Sequence, residues 1–166
     1  MPKNPLALDE LDHRLLALVQ HDAEQTLTAL GDAIGLSASA VQRRLGRYRQ
    51  AGLLRQVAVL DPKLLGNVTL AAVWVVMERD SAKLHAAFCA RMRAAPEVQQ
   101  CYILAGDWDY LVLLATAGLS HYREVAERLF VDEGAIRRYE TNMVFEPVKL
   151  GLALPTRQSL PRRRNK

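Results

Sequence analysis

Residues 37–54 read SASAVQRRLGRYRQAGLL, and with the next residue, Arg55, the stretch holds five arginines and no acid. A solvated helix face normally mixes both signs. A face of one sign is a surface suited to a polyanion. Val41, Leu45 and Tyr48 fall at i, i+4 and i+7, a spacing that predicts an inward-facing stripe. Ser39, Gln42, Arg43, Gly46, Arg47 and Gln50 then share the outer side. Their hydroxyl, amide and guanidinium groups suit base edges and phosphates. Ser37 is the expected N-cap and Gly52 the stop.

Upstream, Leu11, Leu15, Leu18 and Val19 recur at helical spacing behind an Asp9 cap. Asp9 and Asp12 suit the dipole at that helix's start. Thr26 precedes LTALGDAI, whose Leu27, Leu30 and Ile34 line one side, and Gly35 ends it. Three short helices, with a tight GLS turn before the third, predict a helix-turn-helix over residues 1–54. Its third helix is expected to enter the major groove of DNA. The expected DNA contacts are Ser37, Ser39, Gln42, Arg43, Arg44, Arg47 and Arg49. Among them Arg43 is expected to read bases, and Arg44 and Arg49 to hold phosphates.

Downstream the pattern changes period. RQVAVLD (55–61) and VTLAAVWVVMER (68–79) are rich in β-branched residues and read as strands, the first as a linking strand within residues 55–67. Residues 81–95 read as a helix ended by Pro96. VQQCYILAGDWDYLVLLAT (98–116) reads as two strands joined at Gly106-Asp107 by a Gly-X turn. Ser120 is expected to cap a helix reaching about Val131, before a last strand in AIRRYETNMVFEPVKL (135–150). Residues 68–152 thus follow the order β-α-β-β-α-β, the ferredoxin-like arrangement, and the chain as a whole is α+β. The tail, residues 153–166, is expected to be disordered. Its Arg162, Arg163 and Arg164 would add sequence-independent phosphate affinity.

Half of the 166 residues are hydrophobic, enough for a sizeable core. The net charge of +4 is distributed as +1 over residues 1–60, −2 over 61–150 and +5 over 151–166. The basic charge is therefore local, in one helix and one tail. Two cysteines, Cys89 and Cys101, give no disulfide framework, which suits a reducing compartment. No run approaches the ~20 apolar residues of a membrane helix, and a cytoplasmic location is expected. His85 and Cys89 are spaced to chelate a metal on one helix, but no further ligand pair stands nearby, so no metal site is expected. The phosphate-cradling, dinucleotide and nucleophile-elbow motifs are missing, and neither a cofactor nor a catalytic residue is expected.

The stretches GLSASAV (35–41), VLDPKLLG (59–66) and GDWDYL (106–111), in this order and spacing, resemble the Lrp/AsnC family of leucine- and asparagine-responsive regulators. The resemblance covers residues 8–155. It implies a helix-turn-helix domain, a linking strand, and a ferredoxin-like domain that binds small effectors, usually amino acids, and assembles dimers and often octamers. A free amino acid needs a carboxylate to meet its ammonium and N–H donors to meet its carboxylate. From the residues alone, turn chemistry and packing account for Gly106, Asp107, Asp109 and Tyr110. The two acids alternate with Trp108 and Tyr110 and are predicted to face the other way from these aromatics. The resemblance makes the same hairpin part of an effector pocket between subunits. It adds Thr141 and Asn142 of ETNMVF on the last strand, Asn142 standing where the family often has a small hydroxyl. The two-domain order also resembles sirohaem decarboxylases, whose DNA-reading part is degenerate, whereas here the Arg/Gln face is kept. A third reading is a nucleoid-type protein that compacts DNA.

Overall fold

The computed structural model of the chain describes residues 6–131 and 134–157. Two compact units emerge among the described residues: 6–59 together with 150–157, and 60–149. In the first unit, α1 (Glu10–His21), α2 (Leu27–Ile34) and α3 (Ala38–Gln50) form where the periodicity places them. Asp9, Thr26 and Ser37 each cap a helix with a side-chain oxygen. Gly35 ends α2 in the left-handed region at φ 75°, where a side chain would be strained. Leu15, Leu16, Val19, Leu30, Ile34, Val41, Leu45 and Tyr48 form one buried cluster.

The turn between α2 and α3 is tight because Gly31 lets it be. Leu36 N–H donates to the Gly31 carbonyl at 2.9 Å. A Cβ at Gly31 would stand 2.3 Å from the Leu36 carbonyl oxygen. The C-terminal segment, expected to trail away, joins this unit. Leu154 donates its amide to Gln20 Oε1 at 2.7 Å and accepts from Gln20 Nε2 at 3.1 Å. The Arg162–Arg164 cluster lies outside the described residues.

The second unit is a four-stranded antiparallel sheet in the order β2-β3-β1-β4, with β1 (Thr69–Met77), β2 (Val98–Ile103), β3 (Tyr110–Thr116) and β4 (Ile136–Met143). Helices α4 (Ala82–Ala94) and α5 (Gly118–Ala126) join these strands in β-α-β-β-α-β order. Ala71, Val73, Val75, Tyr110, Val112 and Leu114 face the helices and bury against Phe88, Met92, Tyr122, Val125 and Leu129. The alternate residues Leu70, Ala72, Trp74, Leu111, Leu113 and Ala115 lie half-buried on the sheet's other face.

The structure departs from the sequence reading at four further places. Residues 55–61 form no strand, since a strand is a ladder of bonds to a neighbour and this segment has none among the described residues. Val59 and Leu60 are accordingly 71% and 67% exposed. The β2–β3 connection is a loop of Leu104–Asp109, closed by the Leu104 amide on the Asp109 carbonyl at 2.9 Å, not a two-residue turn. Ser120 lies inside α5, which starts behind Ala117 with no side-chain cap and continues as a π-helical stretch, Glu127–Val131. The last strand ends at Met143; the Val144 amide still donates to the Leu70 carbonyl at 2.9 Å, and the chain beyond it is irregular.

Candidate nucleic-acid interface and effector hairpin

α3 presents Ser37, Ser39, Gln42, Arg43, Arg47 and Arg49 as exposed residues. Val41, Leu45 and Tyr48 anchor it from the other side at 0%, 4% and 0% exposure. Among the described residues, Gln42 and Arg43 make no side-chain hydrogen bond or ion pair. Ser37 Oγ caps Ala40 N–H and lies 3.1 Å from Ser39 Oγ. Arg49 donates to Gln56 Oε1 at 2.6 Å. Gly46 has open space around it, so no neighbour among the described residues requires a glycine there.

Arg44 departs from the expectation. Its guanidinium binds Asp9 and Asp12, and its side chain is only 19% exposed. The helix itself lacks acids because its counter-charge comes from α1. The Asp12 carboxylate is the centre of this arrangement. One oxygen accepts from Arg44 Nη1 and from the Tyr48 hydroxyl. The other accepts from Asp9 N–H at 3.0 Å and Arg47 Nη2 at 2.6 Å. Four donors fill the acceptor positions of a carboxylate. Burial pulls the Asp12 carboxyl upward, but the Tyr48 hydroxyl, the Asp9 amide and the two guanidinium groups hold it well below the usual carboxylate range. Burial, and then the Asp12 hydrogen bond, push the Tyr48 phenol up to about 12. Arg47 is 44% exposed at its side chain and keeps part of its N–H fork toward solvent.

The six expected effector residues do not converge on one surface of this chain. Gly106 takes φ 149°, a backbone region that favours glycine, and Asp107 is exposed beside it. Asp109 is a staple: its carboxylate accepts Met77 N–H at 2.7 Å and its own amide donates to Val75 O at 2.9 Å. Tyr110 is fully buried on the helix face, with its hydroxyl 2.6 Å from His85 Nδ1 and its ring 4.4 Å from Phe88. Thr141 faces the same way and bonds the Tyr122 hydroxyl. Asn142, paired with Ala72, is exposed on the opposite face. Trp108 and Tyr110 lie on opposite faces, contrary to the alternation predicted, because Trp108 precedes the regular strand.

The sequence reading missed two constellations. One is the Asp12–Tyr48 centre, which needs the α1–α3 packing to be seen. The other is Trp74, Trp108 and Arg138, brought together from three elements. The rings of Trp74 and Trp108 are 6.1 Å apart, and the Arg138 guanidinium lies 4.3 Å from the Trp108 centroid. Among the described residues no group of His, Cys, Asp and Glu could hold a metal. The His85 ring instead meets the Tyr110 hydroxyl. No helix among them is long and apolar enough to cross a membrane.

Comparison with known proteins matches residues 8–49 to the AsnC-type helix-turn-helix domain and residues 70–154 to the Lrp/AsnC ligand binding domain. The chain is 32% identical over 151 residues to an uncharacterised helix-turn-helix-type regulator of Sinorhizobium fredii, covering 90% of this chain and 89% of that protein. It is 31% identical over 149 residues to the DNA-binding transcriptional activator DecR of Escherichia coli, covering 89% and 98%. A transcriptional regulator of Neisseria meningitidis, solved as its complex with L-methionine, superposes with a TM-score of 0.79 at 26% identity, covering 90% and 97%.

Proposed function

The chain belongs to the Lrp/AsnC family of transcriptional regulators, and from that premise we propose that it reads a specific DNA sequence as a homodimer, or a larger assembly such as an octamer, under the control of an amino acid. The family is one of DNA-binding regulators with a ligand-binding domain, not of enzymes, so the decarboxylase reading falls away. The observation that carries base reading is the outer face of α3, where Gln42 and Arg43 stand exposed and unengaged among the described residues. Arg47, Arg49, Ser37 and Ser39 flank them for phosphate contacts. Arg44 is better assigned to holding the domain together.

The open sheet face supports the assembly. An antiparallel sheet with helices on one side normally shows polar residues on the other. Here Leu70, Ala72, Trp74, Leu111 and Leu113 occupy it, and a second copy would cover them. Two copies would present two α3 helices about 34 Å apart, one turn of DNA. The amino-acid effector is supported by the Gly106–Asp107 turn and by the neisserial relative's bound L-methionine.

The test is a titration of the purified protein against its own upstream DNA across salt concentrations, with and without amino acids. Saturable binding that weakens steeply with salt is expected. Arg43→Ala should remove about 1–3 kcal/mol of discrimination between that site and scrambled DNA. Equal affinity of the unaltered protein for both DNAs would instead indicate a compacting protein.

A further inference from the structure

Residues 150–157 belong to the helix-turn-helix unit, and their contacts with α1 give them a direction. Leu154 is fixed to Gln20, near the C-terminal end of α1, through both its amide and its carbonyl. Further on, the Arg157 guanidinium pairs with Glu10, the first residue of α1. From Gln20 to Glu10 the helix axis spans about 15 Å. The segment therefore runs along α1 from its end toward its start. Glu10 stands between Asp9 and Asp12, the two acids that bind Arg44 and Arg47 of α3. The chain is thus delivered to the end of α1 that abuts the reading helix.

After Arg157 the sequence reads QSLPRRRNK, residues 158–166, with four basic residues and no acid. These lie outside the described residues; their charge and their starting point are what bear on function. An extended chain covers about 3.5 Å per residue, so Arg162 stands within about 17 Å of Arg157 and Arg164 within about 24 Å. With α3 in a major groove about 12 Å wide, one phosphate ridge and the adjoining minor groove fall inside that span. We propose that Arg162, Arg163 and Arg164 enter the minor groove beside the major groove that α3 occupies, steered there by the Leu154–Gln20 and Arg157–Glu10 contacts, and that they favour A·T-rich flanks. The narrow minor groove of A·T tracts concentrates negative potential and draws arginine. This rests on the reading that α3 docks on DNA. It adds a second DNA-binding element and a base preference outside the bases α3 touches. An unanchored basic stretch would add the same phosphate affinity on any DNA. An anchored one adds it at a fixed distance from α3, so the sequence at that distance matters.

The test uses full-length protein and its own upstream DNA, with the footprinted core kept and its flanks rewritten as A·T or G·C. The unaltered protein should prefer A·T flanks by about fivefold or more. Replacing Arg162, Arg163 and Arg164 together by glutamine should bring that preference within about twofold and lower the salt slope by about 2–3 for each arm. Its discrimination between the core and a scrambled core should stay, because α3 is untouched. Gln20→Ala removes both Leu154 bonds and keeps the three arginines, and it should at least halve the flank preference. Circular dichroism of both variants checks that they fold. Indifference of the unaltered protein to its flanks overturns the proposal. So does a triple variant with unchanged salt slope, or a Gln20→Ala protein with undiminished flank preference, and each of these leaves the reading by α3 standing. Equal affinity of the unaltered protein for core and scrambled core removes that reading and the proposal with it.

Discussion

Asp12 shows how a single buried charge can govern a domain. Removing it leaves two guanidinium groups and a phenol without their shared acceptor. Asp12→Asn should cost roughly 2–4 kcal/mol at neutral pH, read as a lower urea midpoint. The pH dependence follows from the direction of its shift. A carboxyl held below its unfolded value of about 3.9 stabilises the fold fully well above that value. The contribution drains away as pH falls through the unfolded value toward the folded one. The unaltered helix-turn-helix should therefore weaken from about pH 5 downward, and Asp12→Asn should flatten that slope. On the alkaline side the Tyr48 phenol, raised to about 12, contributes fully below its unfolded value near 10 and loses its contribution between the two. Arg44→Ala should resemble Asp12→Asn in lowering stability, whereas Arg43→Ala should spare stability and change DNA selectivity. Equal loss of stability in Arg43→Ala and Arg44→Ala would contradict the ion-pair geometry.

Among the elements, the helix-turn-helix depends on a contact that no periodicity announces. Gly31 sits inside α2, where glycine lowers helix propensity by about 1 kcal/mol. Its reason is the Leu36 carbonyl, 2.3 Å from where a Cβ would stand. Backbone atoms cannot swing aside as a side-chain tip can. Gly31→Ala should cost about 1–3 kcal/mol and displace α3 relative to α2, with DNA affinity falling even where circular dichroism shows intact helices. Unchanged stability and affinity would refute the tight turn. The three helices themselves were legible because caps, stripe and stop agree at each: Ser37 starts α3 and Gly52 follows it at φ 75°. The β-α-β-β-α-β order was legible for the same reason. What stayed hidden was decided across elements. The residue types of 55–61 suit a strand, but no neighbouring strand stands beside them among the described residues. Tyr110 reads as a hairpin residue and is a core residue, since its register with Val75 turns it under α4. Arg138 read as an ordinary strand residue until β1 set it beside Trp108.

For the whole molecule, the open sheet face and the reading helix belong to different units, and assembly is what would couple them functionally. Leu113 pairs with Ala72 and Gln100 near the middle of that face. Leu113→Glu places a charge where a second sheet would bury it, a position at which an unpaired charge is strongly unfavourable. Within one protomer the same side chain is only half-buried, so the fold should survive. The expected outcome is a monomer by sedimentation with unchanged circular dichroism. Its single α3 should still bind a half-site as the unaltered chain does. On a full site the second half would no longer be held at the high effective concentration that linkage provides. Affinity should fall by about 10²–10⁴ there, and the salt dependence should shrink as phosphate contacts are lost. A Leu113→Glu protein that stays dimeric would place the interface on another surface. A monomer that binds the full site undiminished would mean that one reading helix is sufficient.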